Sequence, residues 1–146
     1  MKMNNINFSR HQAEAVLVTC VDFRFHQPTV EFVKNNLAGS FDLLTTPGAT
    51  KNLVEANQSA KEIIRVIKEV SLPLHQIKKI ILMNHWDCGG YGGSRSFSSI
   101  QKEEEKYQED LKKARGVLKK EFPEMEIIIG YSQLDNNNLK FIIINN

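Results

Sequence analysis

The chain has 146 residues, of which 41% are hydrophobic and 25% charged, and its 19 Lys and Arg against 17 Asp and Glu give a formal net charge of +2. A chain of this length can bury roughly two thirds of the surface that its unfolded form exposes, so we expect one ordinary domain spanning residues 1–146. The near-neutral charge argues against a nucleic-acid-binding protein, because phosphate contacts need a basic face. No apolar run exceeds four residues, whereas a membrane span needs about 20, which argues against a membrane protein.

The N-terminal sequence and the cysteine content indicate the compartment. Met1 to Arg10 is polar and rich in Asn, and it lacks the apolar stretch and cleavage site of a signal peptide. We therefore expect a cytoplasmic protein. In that compartment the only two cysteines, Cys20 and Cys88, are expected to be reduced and available to a metal ion rather than joined in a disulfide.

Short apolar runs separated by helical patterns and turn residues predict an α/β fold. The predicted elements of the first half are a buried strand at Glu14–Cys20, a helix at Thr29–Leu37 capped by Thr29, a strand at Phe41–Thr46, a helix at Leu53–Val70 stopped by Pro73, and a strand at Ile77–Asn84. The second half contains a glycine-rich loop at His85–Gly93, a long charged helix at Ser98–Phe122, and strands at Met125–Tyr131 and Leu139–Ile144. The charges of the long helix are interpreted as a solvated face.

This element order predicts the sheet. Strands that alternate with helices favour a mostly parallel sheet flanked by helices, with strand order 2-1-3-4 and a fifth strand that is free to pair antiparallel at the end. In such a sheet a crevice forms at the carboxyl ends of the strands, where the winding direction reverses, and here that point lies between the first and third strands. Side chains that follow these two strands are expected to meet.

Three potential metal ligands occupy those positions. Cys20 ends the first strand, and His85 and Cys88 follow the third. Two thiolates and one imidazole form a zinc-binding set that leaves the fourth position for water or a carboxylate. Taken alone, each residue is more simply a small buried side chain or a hydrogen-bonded loop residue. A redox pair of the two cysteines is the other alternative, although thiol oxidoreductases more often carry C-x-x-C.

Asp22 and Arg24 follow Cys20 by two and four residues. They form either a surface ion pair of little energetic value or a pair that acts beside the metal. In the second interpretation, the carboxylate accepts a hydrogen bond from a zinc-bound hydroxide and orients it, while the guanidinium holds the carboxylate away from the metal. Released by Arg24, Asp22 would be able to become the fourth ligand.

Three nearby side chains have open roles. His26 is a candidate for carrying a proton away from the site, because an unperturbed imidazole titrates near 6.5, and it is equally well a plain surface residue. Phe25 and Tyr91 are candidates for lining the pocket, or they serve simple packing.

Two motifs of the chain resemble the signature of the β-class carbonic anhydrases. These are C-x-D-x-R, here Cys20-Val21-Asp22-Phe23-Arg24, and H-x-x-C-G, here His85-Trp86-Asp87-Cys88-Gly89. The resemblance implies reversible hydration of carbon dioxide to bicarbonate, a small-molecule substrate, and a homodimer or larger homo-oligomer. It further implies a Zn²⁺ cofactor held by Cys20, His85 and Cys88, with Asp22 and Arg24 as the catalytic pair.

The chain also departs from the family pattern near the motifs. Phe23 stands where Ser is common, Asn84 where Gly precedes the His, and Thr46-Pro47 where Arg-Asn is usual. These changes spare the metal ligands and alter the expected substrate pocket. Two other functions therefore stay open: hydrolysis of carbon disulfide or carbonyl sulfide, and a zinc-binding relative that has lost turnover and serves as a regulatory or binding module.

Overall fold

The structure is a computed structural model and describes residues 9–145. Its strands are β1 (Ala15–Thr19), β2 (Phe41–Thr45), β3 (Lys79–Asn84), β4 (Glu126–Asp135) and β5 (Asn138–Ile143). Its helices are α1 (Phe23–Asn36), α2 (Thr50–Glu55), α3 (Gln58–Val66), α4 (Leu72–His75) and α5 (Ile100–Glu121), with a π-helical turn at Ile67–Ser71 and 3₁₀ turns at Gly89–Tyr91 and Ser94–Ser96. The prediction that the chain lacks a signal peptide rests on residues 1–10, and residues 1–8 lie outside the described residues. Within residues 9–145 no helix is long and apolar enough to cross a membrane.

The five strands form one sheet in the order β2-β1-β3-β4-β5. β1 pairs in parallel with both β2 and β3, β3 pairs in parallel with β4, and β4 and β5 form an antiparallel pair. The predicted α/β fold and strand order are confirmed. Because Thr19 of β1 lies opposite Met83 of β3, the residues that follow these two strands emerge side by side at one edge.

Alternate residues of the central strands bury opposite faces of the sheet. On one face Val16, Val18, Ile80 and Leu82 pack with apolar side chains of the helices α2, α3 and α5. On the other face Ala15, Leu17, Ile81 and Met83 form a smaller cluster that includes Val33 of α1. Burial on both faces explains why β1 and β3 are continuous apolar runs rather than alternating ones.

Helix α1 begins six residues before the predicted start at Thr29. Asp22 is its N-cap, and its carboxylate accepts a hydrogen bond from the backbone N–H of Arg24 over 3.1 Å. Pro28 lies inside the helix, where it removes one backbone hydrogen bond early in the helix without ending it. The predicted cap at Thr29 is wrong, because Thr29 lies inside the helix and Asp22 supplies the cap. The earlier start places Asp22 and Arg24 on a fixed helical turn instead of a loop.

The single helix predicted at Leu53–Val70 is divided into several pieces. α2 ends at Ala56, which has the left-handed φ of 51°, and the side chain of Asn57 then caps α3 by accepting from the N–H of Ala60. The chain continues through the π-helical turn into α4, and Pro73 lies in the first turn of α4 rather than beyond the helix. The break allows α2 to turn toward the sheet edge where the loops meet.

The long helix α5 agrees with the predicted charged helix, and Ser99 caps it by accepting from the N–H of Lys102 over 3.1 Å. Two of its acidic residues do not lie on a solvated face. Glu103 and Asp110 are each only 1% exposed. Asp110 pairs with Lys106 at 2.8 Å, whereas Glu103 contacts the loop that follows β3.

Candidate metal centre

The three predicted metal ligands meet at the carboxyl ends of β1 and β3. Their ligand atoms all lie within 4.8 Å of one another, and Cys20, His85 and Cys88 are all buried. This convergence follows from the parallel pairing, since Cys20 comes directly after β1 and His85 directly after β3. The residues at this end of the sheet therefore form a group that could bind a metal ion.

The histidine presents one particular nitrogen to the cysteines. Nδ1 of His85 lies 2.7 Å from the carbonyl oxygen of Trp86, which can only accept, so Nδ1 carries the proton. Nε2 therefore carries an unprotonated lone pair, and it is buried with no hydrogen-bond partner in the part of the chain that the structure describes. The ring is also fixed by Phe25, which stacks on it with centroids 4.2 Å apart. A buried acceptor without a partner is costly unless a cation or a donor satisfies it.

The two thiols lie close enough to share a proton. Both cysteines are free, and Sγ of Cys88 donates to Sγ of Cys20 over 3.9 Å. This hydrogen bond lowers the pKa of Cys20, and the same bond together with burial raises the pKa of Cys88. Backbone N–H groups act on the same thiols, that of Gly48 lowering the pKa of Cys20 and that of Gly90 opposing the raised pKa of Cys88.

These donors fit zinc. Two sulfurs and one neutral imidazole nitrogen are a set that zinc prefers. A divalent ion would displace the shared proton, allow both sulfurs to bind as thiolates, and satisfy the lone pair of His85. The geometry thus supplies three protein ligands, the number typical of zinc sites that keep one position for a reactant.

Asp22 and Arg24 form a tight pair beside the three ligands. The guanidinium donates from Nη2 to Oδ2 of Asp22 over 2.7 Å and from Nε to Oδ1 over 3.1 Å. These hydrogen bonds hold the pKa of Asp22 below its usual range, so the carboxylate is ionised at neutral pH. Oδ2 lies 3.9 Å from Nε2 of His85. The carboxylate therefore borders the site while remaining attached to Arg24.

A second carboxylate holds the other side of Arg24. Nη1 of Arg24 donates to Oδ2 of Asp87 over 3.0 Å, and Nη2 donates to the backbone oxygen of Asp87 over 3.3 Å. The N–H of Ser94 donates to Oδ1 of the same carboxylate over 2.8 Å and is the main cause of a lowered pKa of Asp87. Asp87 immediately precedes Cys88, so the Asp22–Arg24 pair is linked directly to the metal loop, which is the loop after β3 formed by residues 85–94.

An open cleft of about 530 Å³ leads to the site. It is lined by Cys20, Val21, Asp22, Phe23, Arg24, Pro47, Gly89 and Gly90. Most of this lining is apolar, and Phe23, 84% exposed, stands at its rim. A small neutral molecule with little hydration suits such a surface better than an ion does.

The three side chains with open roles take different places. Phe25 packs on His85 instead of lining the cleft. Tyr91 lines a separate cavity with Lys51 and Phe97. Its ring packs edge-on against that of Tyr107, with the two ring centroids 4.9 Å apart. Nε2 of His26 is buried and has no hydrogen-bond partner among the described residues, so this nitrogen is not exposed to bulk water.

Sequence reasoning missed the side chains that support the metal loop. The motif H-x-x-C-G gives no role to Asp87, the predicted solvated face of the long helix includes Glu103, and Tyr107 is not among the candidate residues. A signal for the last two does exist in the sequence. Residues 103, 107, 111, 114 and 118 recur at spacings of four, four, three and four, which places Glu103 on the buried stripe of α5.

Comparisons with known proteins extend this description. A family model described as "Putative carbonic anhydrase" matches residues 10–142. An uncharacterised protein of Rickettsia bellii is 34% identical over 131 residues, covering 86% of this chain and 79% of that protein. One of Rickettsia conorii is 29% identical over 134 residues, covering 86% and 70%.

Two solved structures share the fold. The carbonic anhydrase of Streptococcus mutans superposes with a TM-score of 0.55 at 14% identity, covering 95% of this chain and 87% of that one. The β-carbonic anhydrase isoform I of Trichomonas vaginalis gives 0.51 at 15% identity, covering 97% and 88%. The sheet order and element order described above are thus those of β-carbonic anhydrases. Because the family model spans nearly the whole chain, the protein belongs to this carbonic anhydrase family.

Proposed function

We propose that the protein is a zinc enzyme that interconverts carbon dioxide and bicarbonate. The observation that carries the proposal is the position of Asp22, an ionised carboxylate held by Arg24 with Oδ2 3.9 Å from the bare Nε2 of His85. Asp22 also lines the open cleft that leads to the three ligands, where its carboxylate can contact a reactant. Family membership supports the same reaction.

The proposed roles divide among five residues. Cys20, His85 and Cys88 hold the zinc ion. Zinc bound in this way supplies a water whose pKa falls toward about 7, and hence a nucleophile at neutral pH. Asp22 accepts a hydrogen bond from that nucleophile and orients it toward the substrate carbon. Arg24 keeps Asp22 from joining the ligand set, because both carboxylate oxygens are engaged by its guanidinium.

The cleft determines what reaches these residues. Val21, Phe23 and Pro47 border it with apolar surface, which suits carbon dioxide, a small uncharged molecule. Bicarbonate is charged and leaves a surface of this kind readily. The same features suit carbonyl sulfide and carbon disulfide, which are also linear and uncharged, so the choice of substrate has to be measured.

Stopped-flow hydration of carbon dioxide with a pH indicator tests the proposal. We expect the zinc-loaded protein to accelerate hydration, and we expect a Cys88→Ser, His85→Ala double variant to lose both the zinc and the acceleration. The matched control is His11→Ala, which removes an exposed imidazole elsewhere and should preserve both.

A zinc-loaded parent protein that leaves the rate at the buffer level would contradict the proposal. Hydrolysis of carbonyl sulfide or carbon disulfide by that protein would then identify the hydrolase alternative, and inactivity toward all three would favour a binding module. Zinc retained at the parental level by the double variant would contradict the ligand assignment. The cytoplasmic location and the homodimer stay predictions.

A further inference from the structure

Glu103 is a carboxylate buried inside the fold. It is 1% exposed, and among residues 9–145 no Lys, Arg or His nitrogen forms an ion pair with it. Removing a carboxylate from water costs several kcal/mol unless other groups compensate for the lost hydration. An apolar side chain would avoid that cost, so packing alone does not explain a carboxylate at this position.

Three donors compensate for the burial, and all belong to the metal loop or support it. Oε1 of Glu103 accepts from the backbone N–H of Asp87 over 2.8 Å and from the hydroxyl of Tyr107 over 2.8 Å. Oε2 accepts from the hydroxyl of Ser94 over 2.7 Å. The hydroxyl oxygen of Tyr107 in turn accepts from the backbone N–H of Cys88 over 3.3 Å. The carboxylate of Glu103 therefore holds the N–H of Asp87 directly and the N–H of Cys88 through the hydroxyl of Tyr107.

The positions of Asp87 and Cys88 affect both parts of the candidate site, the metal ligands and the Asp22–Arg24 pair. Asp87 has a φ of 55°, a left-handed conformation that is unusual for a residue other than glycine. Its side chain and its carbonyl oxygen both hold Arg24, which holds Asp22. Cys88 is the next residue and supplies a metal ligand. Glu103 therefore supports both the metal ligand Cys88 and the Asp22–Arg24 pair.

We propose that Glu103 is a positioning residue, which anchors the loop of Asp87 and Cys88 to α5 and so fixes the metal ligand and the support of Arg24 together. This inference rests on the proposed metal site and extends it to a residue 15 positions beyond Cys88. The role is assigned to hydrogen-bond acceptance, because all three partners are N–H or O–H donors and none of them is a cation.

The rate of zinc release to a colorimetric chelator tests the proposal without any substrate. Groups that orient metal ligands typically change metal affinity or activity by about 10–100-fold, so we expect Glu103→Ala to release zinc faster by about that factor. Glu103→Gln should remain close to the parent. Its amide oxygen accepts from Asp87 and Tyr107, and its amide nitrogen donates to Ser94, whose hydroxyl can turn to accept.

Glu104→Ala is the matched control. Glu104 is the adjacent carboxylate of the same helix, and it accepts from the hydroxyl of Tyr131 over 3.2 Å instead of from the metal loop. We expect this variant to release zinc at the parental rate. In the cobalt-substituted protein the sulfur-to-metal absorption band should shift for Glu103→Ala, and it should be unchanged for Glu103→Gln and for the control.

Tyr107→Phe keeps the test decisive if Glu103→Ala fails to fold. It removes only the hydroxyl that links Glu103 to the N–H of Cys88, and we expect faster zinc release from it than from the parent. A parental release rate in folded Glu103→Ala or in Tyr107→Phe would overturn the proposal, as would equal acceleration by Glu103→Gln and Glu103→Ala. A parent that binds zinc without hydrating carbon dioxide contradicts the proposed function alone, whereas a parent that binds no metal overturns both proposals.

Discussion

Arg24 joins two carboxylates that come from different parts of the chain. Asp22 is the N-cap of α1, and Asp87 lies in the loop after β3. The planar guanidinium has five donors in a fixed arrangement, which allows it to bind both carboxylates at the same time. Since Arg24 lowers the pKa of Asp22, the carboxylate stays ionised throughout the neutral range. Any rise of activity with pH in that range therefore has to come from another group.

An Arg24→Ala variant should keep its zinc and lose most of its activity. Without the guanidinium, Asp22 is free to move the short distance to the metal and occupy the position of the reactant. We expect carbon dioxide hydration to fall by at least about tenfold, with zinc content unchanged by elemental analysis.

Arg65→Ala provides the comparison for this change. Arg65 pairs with Glu62 and Glu69 on the surface of the helical segment after β2, remote in sequence from both motifs, and its loss should leave hydration unaffected. Hydration by Arg24→Ala at the parental rate would show that the pair does not control the nucleophile.

Two loops meet at a pair of glycines beside the ligands. A Cβ atom on Gly90 would lie 2.5 Å from Cα and 2.8 Å from the backbone nitrogen of Gly48, which is closer than any carbon approaches a backbone without displacement. The backbone N–H of Gly48 also lowers the pKa of Cys20, and that of Gly90 opposes the raised pKa of Cys88. The loop after β2 and the loop after β3 can therefore approach each other this closely only because neither glycine carries a side chain.

Gly90→Ala should force these loops apart. Overpacking of this kind typically costs about 1–3 kcal/mol of folding free energy, and thermal unfolding should show the loss. Zinc should also bind more weakly, because the displaced loop carries Cys88, whose Sγ would lie 3.5 Å from the added Cβ.

Gly89→Ala is the control at the neighbouring position, where a Cβ would meet nothing within 4 Å. It should retain the parental melting temperature and zinc affinity. Equal behaviour of the two alanine variants would contradict the close approach of the loops.

At the level of elements, apolar patterning predicted the central strands β1 and β3 well and helix boundaries poorly, and the strand predicted at Met125–Tyr131 extends to Asp135 because its last residues pair with β5. The strands β1 and β3 were found within a residue or two, because buried parallel strands are continuous apolar runs. The predicted start of α1 at Thr29 is wrong, because the cap is Asp22, whose carboxylate accepts from the N–H of Arg24. The break between α2 and α3 depends on Ala56 in a left-handed conformation, and alanine gives no local signal for that geometry.

At the level of the whole molecule, chain order was enough to bring the candidate site together. Once β1 and β3 are parallel neighbours, Cys20 and His85 must lie at the same edge, whatever the helix boundaries are. The residues that support the site could not be predicted from chain order. The contact of Glu103 with Asp87 depends on where α5 crosses behind the loop, which is set by packing across the sheet and not by residue spacing.

The claim on which the whole account depends is that Cys20, His85 and Cys88 together hold one zinc ion. X-ray absorption at the zinc edge of the purified protein measures this directly. We predict one zinc per chain with two sulfur neighbours at about 2.3 Å and nitrogen or oxygen neighbours at about 2.0–2.1 Å. A protein purified without zinc, or a zinc ion surrounded only by nitrogen and oxygen, would contradict the account.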